Sequence, residues 1–124
     1  MARFAADERT VVAESPTSQR TPRPRRRPPT LEQIRGPGSP HAYHLFLPEV
    51  VVGRGAQSQI IVDCPSLSRS HIRIVQHDGE VRFLDLDSAN GVFLNGVRAH
   101  AAVLRDTDLL ELGSCAFVFH ERGL

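Results

Sequence analysis

Three short polar stretches of the sequence carry residues suited to holding an anion. Arg54 stands in the first stretch, Ser68 and Arg69 in the second, and Asn90 in the third. A guanidinium donates forked, charge-assisted hydrogen bonds to a phosphate, and a serine hydroxyl donates one more. An asparagine amide both donates and accepts, which suits the backbone of a peptide. If the fold gathers these four residues, they have the chemistry to bind a phosphorylated peptide.

The segments around these stretches have the pattern of short β-strands. From His41 onward, apolar runs alternate with turn residues at the spacing of an all-β sandwich. Strands are expected at 41–47, 49–52, 60–62, 71–77, 80–86, 92–94, 109–112 and 115–120, with a return strand opening at Val97. Asp78-Gly79 and Asn95-Gly96 favour tight hairpin turns. Because the connections of a sandwich cluster at its two ends, we expect the polar stretches to meet on one rim.

The three polar stretches, followed by the Asn95-Gly96 turn, together resemble the motif of the forkhead-associated (FHA) domain. The matching segments are Gly53-Arg54, Ser68-Arg69-Ser70-His71, Ser88-Ala89-Asn90-Gly91 and Asn95-Gly96. The resemblance covers residues 41–124. It implies a two-sheet antiparallel β-sandwich of about eleven strands, which reads phosphothreonine on partner proteins through the loops at one end.

The resemblance also assigns a role to each residue of the motif. The phosphate would be held by Arg54, Ser68 and Arg69, the peptide backbone by Asn90, and the loop shape by Gly53, His71 and Gly91. Many relatives carry Thr or Ser where this chain has Ala89. Either Ser88 supplies the missing hydroxyl to the ligand or the affinity is somewhat lower, since a neutral hydrogen bond contributes about 0.5–1.5 kcal/mol.

Residues 1–40 have the composition of a disordered tail. They hold seven of the nine prolines and eight of the fifteen arginines, with four acids, whereas residues 41–124 hold seven arginines and ten acids. A basic tail of charge +4 therefore precedes a domain of charge −3. A solubilising linker is the favoured role for the tail, and a proline-rich docking ligand is an alternative. Nucleic-acid binding by its arginines is less favoured, because the tail lacks interleaved aromatics and the domain is acidic.

One threonine in the tail suggests autoregulation. Thr10 lies in the acidic segment Asp7-Glu8-Arg9-Thr10, and Thr17, Thr21 and Thr30 are weaker candidates. If a Ser/Thr kinase phosphorylated Thr10, the tail could fold back onto the Arg54 and Arg69 site at a high effective concentration. Some bacterial FHA proteins resemble this arrangement. Self-docking of phosphorylated Thr10 is therefore a hypothesis for this chain.

The polar stretches do not have the pattern of a catalytic site. Ser68 and His71 invite a nucleophile–base interpretation, but no G-x-S-x-G elbow is present. The histidines and cysteines lack the spacing of a metal site, so neither a metal nor a cofactor is expected. Cys64 and Cys115 fit two reduced thiols better than a disulfide.

The remaining expectations concern location and partners. No apolar run approaches the roughly 18–20 residues that span a bilayer. We therefore expect a cytoplasmic, monomeric, non-catalytic module whose partners are phosphothreonine-containing proteins and, as a further hypothesis, a Ser/Thr kinase.

Overall fold

The fold is an all-β sandwich, as the sequence predicted. The structure, a computed structural model, describes residues 27–124, so Thr10 and most of the Arg/Pro-rich tail lie outside the described residues. The strands are β1 (Thr30–Arg35), β2 (His41–His44), β3 (Glu49–Gly53), β4 (Ile60–Ile61), β5 (Ile72–His77), β6 (Glu80–Asp85), β7 (Val92–Leu94), β8 (Val97–Arg98), β9 (Ala101–Leu104), β10 (Leu109–Leu112) and β11 (Cys115–His120). Within the described residues no helix is long and apolar enough to cross a membrane.

The strands form two sheets. Six strands make one sheet in the order β2-β1-β11-β10-β7-β8, and five make the other in the order β4-β3-β5-β6-β9. All strand neighbours pair antiparallel except β3 and β4, which run parallel over two residues. The architecture confirms the predicted two-sheet fold of eleven strands.

The core lies between the sheets and follows the two-residue period of the strands. On β11, Phe117 and Phe119 point inward and are fully buried, and Ile72 and Ile74 do the same on β5. Phe83 on β6, which pairs with Ile74 in the same sheet, is also fully buried. Burying one such side chain stabilises the fold by about 1.5–3 kcal/mol. This packing gives the connecting loops a rigid frame.

The folded domain begins near residue 30, which corrects the boundary expected at residue 41. Strand β1 pairs with β2 on one side and β11 on the other, and its Leu31 is fully buried. Gln33 is buried too, and its Nε2 donates to the carbonyl oxygen of Pro37 at 2.8 Å. The segment TLEQIR has few apolar residues. Its order depends on the distant strand β11, which local composition does not reveal.

The strand pairing places the loops that carry the polar stretches at one end of the sandwich, together with loop 36–40. Val52 pairs with Ile72 and Ile72 with Asp85, so β3 ends where β5 begins and β6 ends. In the other sheet, Leu112 pairs with both Val92 and Cys115. We call the part of this end that is formed by residues 54–59, 62–71, 86–91 and 113–114 the site rim. Thr30 pairs with His120 at the opposite end.

Candidate functional site

The site rim brings together the three polar stretches singled out in the sequence. The amide of Arg54 donates to the carbonyl oxygen of Ser68 at 3.0 Å. The hydroxyl of Ser68 accepts from the amide of Ala89 at 3.0 Å. Nδ2 of Asn90 donates to the carbonyl oxygen of Ser66 at 2.7 Å. Loops 54–59, 62–71 and 86–91 therefore form one hydrogen-bonded unit.

The rim carries two arginines and two exposed acids, Asp63 and Asp87. Arg54 and Arg69 are both exposed. Within residues 27–124, neither forms an ion pair with a carboxylate. Nε of Arg54 donates to the carbonyl oxygen of Leu67 at 3.0 Å, which orients the guanidinium while its two terminal nitrogens stay available. An anion bound there would meet donors that are already positioned.

Ser68 lies beside these arginines with a hydrogen to donate. A hydroxyl has one donor and two acceptor positions, and in Ser68 the contact with the Ala89 amide uses an acceptor. The proton therefore remains free for an anionic oxygen. Because Ala89 contributes its backbone amide here, the absence of a hydroxyl at that position leaves the orientation of Ser68 intact.

Gly53 allows the end of β3 to contact the backbone of the next loop. A Cβ at position 53 would lie 2.1 Å from the carbonyl oxygen of Arg69 and 3.0 Å from that of Ser68. Both neighbours are backbone atoms, so a flexible side chain cannot move aside to make room. Residue 53 must be glycine for Ser68 and Arg69 to sit where they do.

His71 links loop 62–71 to loop 86–91 by two hydrogen bonds of its imidazole. Its side chain is fully buried. Nδ1 accepts from the amide of Ser68 at 3.1 Å, so Nε2 carries the proton and donates to the carbonyl oxygen of Gly91 at 2.9 Å. Gly91 has a φ of +77°, a left-handed conformation that glycine adopts without strain. Both residues shape the rim from within.

Ser88 lies apart from the exposed residues of the rim. Its side chain is buried, and its hydroxyl accepts from the amide of Gly91 at 3.0 Å. Its own amide donates to Oδ1 of Asp85 at 2.9 Å. The Ser88 hydroxyl therefore stabilises the turn of the loop, and its contact with a ligand stays a prediction.

One residue of the rim, Ser66, and one residue beside the rim, Arg98, were not identified from the sequence. Ser66 receives the Asn90 side chain, and its hydroxyl accepts from the amide of Ser114 at 2.9 Å. Arg98 lies against Gly91, since a Cβ on that glycine would lie 2.9 Å from Nε of Arg98. Neither residue belongs to the motif, and their partners are distant in the sequence or on another loop.

A pair of free thiols lies beneath Ser66. Cys64 and Cys115 are both buried, and Sγ of Cys64 lies 3.1 Å from the Ser66 hydroxyl and 3.3 Å from that of Ser114. Burial opposes ionisation of Cys64, but its hydrogen bonds outweigh this and lower the pKa of the thiol to about 7. Burial and the neighbouring Cys64 raise the pKa of Cys115 to about 12. Among the described residues, no cluster of side chains fits a metal ion.

Comparison with known proteins identifies the family. The family model of the FHA domain matches residues 50–113. This chain belongs to the FHA domain family.

Relatives with assigned functions support the same assignment. The oxoglutarate dehydrogenase inhibitor of Corynebacterium diphtheriae is 31% identical to this FHA protein over 87 residues, which are 70% of this chain and 61% of the relative. The glycogen accumulation regulator GarA of Mycolicibacterium smegmatis is 32% identical over 85 residues, 68% of this chain and 54% of the relative. The chain thus spans about six-tenths of the length of the dehydrogenase inhibitors that it matches.

Solved FHA domains have the same fold. One, analysed for phosphothreonine-dependent interactions, superposes with a TM-score of 0.71 at 27% identity and covers 77% of this chain and 98% of its own. The FHA domain of FhaA, complexed with the intracellular domain of Rv3910, superposes with a TM-score of 0.69 at 27% identity. The match covers 74% of this chain and 99% of the FhaA domain. EmbR of Mycobacterium tuberculosis, complexed with a low-affinity phosphopeptide, superposes with a TM-score of 0.71 at 28% identity. The match covers 77% of this chain and 25% of EmbR.

Proposed function

We propose that this FHA domain binds phosphothreonine segments of partner proteins and acts in Ser/Thr kinase signalling by binding, without catalysis. The observation that carries the proposal is the convergence of Arg54, Arg69 and the free hydroxyl proton of Ser68 on one exposed rim. Phosphorylation adds about −1.5 to −2 charges and three strong acceptors, so only a modified partner complements this set of donors. The solved FHA domain with phosphothreonine-dependent interactions supports the same ligand.

Asn90 completes the proposed site on the peptide side. One N–H of its amide is used by the carbonyl oxygen of Ser66, which fixes the side chain. The other N–H and the Oδ1 oxygen remain for the backbone of a bound peptide. The phosphate would lie between Arg54 and Ser68, and the peptide would run past Asn90. Arg69 would add a second guanidinium to the phosphate.

The experiment that tests this proposal uses Arg54→Ala and Arg54→Lys in the full chain. Ligands come from an oriented phosphothreonine peptide library, with phosphoserine and unphosphorylated peptides alongside. A hydrogen bond to a charged group contributes about 1.5–3 kcal/mol, so Arg54→Ala should weaken binding by about tenfold to a hundredfold. Arg54→Lys should lose somewhat less, because it keeps the charge but not the fork.

Arg105→Ala is the matched control, since Arg105 is exposed between β9 and β10 at the end opposite the rim. Thermal unfolding of each variant checks that the fold is kept. Equal affinity of Arg54→Ala and Arg105→Ala for the best phosphothreonine peptide would refute the assignment of the phosphate site.

We further infer that phosphorylated Thr10 docks into the same site and competes with partners. Strand β1 begins at Thr30, so nineteen residues (11–29) connect Thr10 to the domain. At about 3.3 Å per extended residue this tether reaches about 60 Å, whereas the six-residue strand β1 covers only about 20 Å of the sandwich. The tether is therefore long enough to reach from the β1 end to the rim. Two relatives are named as an inhibitor and a regulator, which favours an output through binding to other proteins.

The test of self-docking compares the full chain with and without phosphate on Thr10. Phosphorylation of Thr10 should lower the apparent affinity for a phosphothreonine probe, and Thr10→Ala should abolish this effect of kinase treatment. Phosphorylation of Thr17 in the Thr10→Ala chain provides a tail phosphate at a different distance. A chain phosphorylated on Thr10 that binds the probe as well as the unmodified chain would refute self-docking.

A further inference from the structure

Arg98 adds a guanidinium beside the rim, next to Gly91. It ends the two-residue strand β8, whose register pairs Arg98 with Phe93. A Cβ on Gly91 would lie 2.9 Å from Nε of Arg98 and 3.0 Å from Cζ and from Nη2. The guanidinium therefore covers Gly91. Arg98 thus contacts the residue that follows Asn90 in the loop, whereas Ser68 contacts Ala89, the residue before it.

The charge of Arg98 is available to a ligand. Its side chain is exposed, and within residues 27–124 it forms neither a hydrogen bond nor an ion pair. Glu111 pairs in register with Phe93, one strand further into the sheet. That carboxylate is already engaged, because Nη2 of Arg35 binds it at 2.9 Å.

The surroundings of Arg98 favour contact with a peptide side chain. Phe93, which pairs with Arg98 across β7 and β8, is 37% exposed and provides accessible apolar surface on the same face of the sheet. A peptide that places its phosphate at Arg54 and its backbone at Asn90 passes Gly91 next. At about 3.3 Å per residue, a side chain one to three positions from the phosphothreonine would lie over Arg98.

We propose that Arg98 is a specificity-determining residue that binds an acidic side chain of the ligand on the Asn90 side of the phosphothreonine. The inference rests on the proposed function, because Arg98 can contact an acidic side chain of the peptide only when the phosphate site has bound the phosphothreonine. An exposed ion pair is weak, so the acid should improve affinity by about twofold to fivefold. Arg98 would therefore select among phosphothreonine peptides and not create the binding.

The experiment is a double-mutant cycle between the full chain and its peptide. Starting from a tight phosphothreonine peptide, Asp or Glu is placed at each of the three positions on either side, with Asn or Gln as the neutral partner. The wild-type chain should prefer the acid at one position by about twofold to fivefold. Arg98→Gln should remove that preference while binding the neutral peptide as the wild type does, and Arg98→Lys should keep most of it.

The outcomes separate this inference from the proposed function. Arg105→Gln, at the far end of the sandwich, should keep the preference and serves as the charge control. If the wild type binds phosphothreonine peptides but Arg98→Gln shows the same preference, or weakens acidic and neutral peptides equally, the role of Arg98 is refuted and the proposed function stands. If the wild type binds no phosphothreonine peptide, both fail together.

Discussion

Replacing His71 by leucine tests whether the buried imidazole holds the rim together. Leucine has a similar volume, so the core stays filled, but both hydrogen bonds of the imidazole are lost. The amide of Ser68 and the carbonyl oxygen of Gly91 would then face an apolar side chain. Because His71 is fully buried, water cannot easily replace the imidazole at either atom.

The expected loss of stability follows from these two unpaired groups. A buried polar group left without a partner costs about 1–3 kcal/mol, and two of them, partly offset by the burial of leucine, give about 2–4 kcal/mol. For a domain of this size, each kcal/mol lowers the midpoint of thermal unfolding by about 4–8 °C. The midpoint of His71→Leu should therefore fall by about 10 °C or more. Circular dichroism during heating measures it, and a urea titration gives the free energy of unfolding.

His77→Leu is the matched control, since the side chain of His77 is 85% exposed and the substitution is the same. It should change the free energy of unfolding by less than about 0.5 kcal/mol. Below its unfolding midpoint, His71→Leu should also bind the phosphothreonine peptide less tightly, because Ser68 and the Gly91 turn lose their common anchor. If His71→Leu and His77→Leu unfold at the same temperature, the two hydrogen bonds do not stabilise the rim as argued.

Three further predictions concern the frame around the site. Gly53→Ala should lower the free energy of unfolding by about 1–3 kcal/mol in a urea titration. Gly55→Ala should lower it less, because a Cβ at position 55 would meet only the movable Gln57 side chain. Equal losses of stability in the two variants would contradict the backbone clash at Gly53. Deleting residues 1–26 should leave a cooperative unfolding transition. Deleting residues 1–40 should abolish this transition, because it also removes β1 and the buried Leu31. A folded 41–124 fragment would contradict a domain boundary near residue 30. Raising the pH should ionise the Cys64 thiol near pH 7, because its hydrogen bonds favour the thiolate. The ultraviolet absorbance of the thiolate measures this ionisation. Absence of thiolate below about pH 8.5 would contradict the prediction.

Much of the frame could be predicted from local sequence signals. Alternating apolar residues located the central strands β5 and β6, since a half-buried strand repeats every two residues. Asp78-Gly79 and Asn95-Gly96 both adopt positive φ in the hairpins that the sequence predicted. The convergence of Arg54, Ser68 and Asn90 followed from the clustering of loops at the ends of a sandwich.

What the sequence did not reveal depends on contacts between distant segments. Strand β1 pairs with β11, and its composition is that of the tail that precedes it. Strand β9 (Ala101–Leu104) was not expected either, because it is short and its order comes from pairing with β6. Ser66 accepts hydrogen bonds from Asn90 and from Ser114, which is 48 residues away. In each case the local segment is polar or short, and the partner across the fold decides its structure.

The hydrogen bonds of the rim explain why its stability and its binding should change together. Arg54 and Asn90 donate to the carbonyl oxygens of Leu67 and Ser66, and Ser68 accepts from the amide of Ala89. These three side chains of the proposed site are thus fixed by backbone atoms of other parts of the rim before any ligand arrives. A site ordered in advance loses little conformational entropy on binding, which favours affinity from few contacts. Substitutions that release the backbone, at Gly53 or His71, should therefore reduce both stability and affinity, whereas changes to the guanidinium of Arg98 should alter the choice of ligand alone.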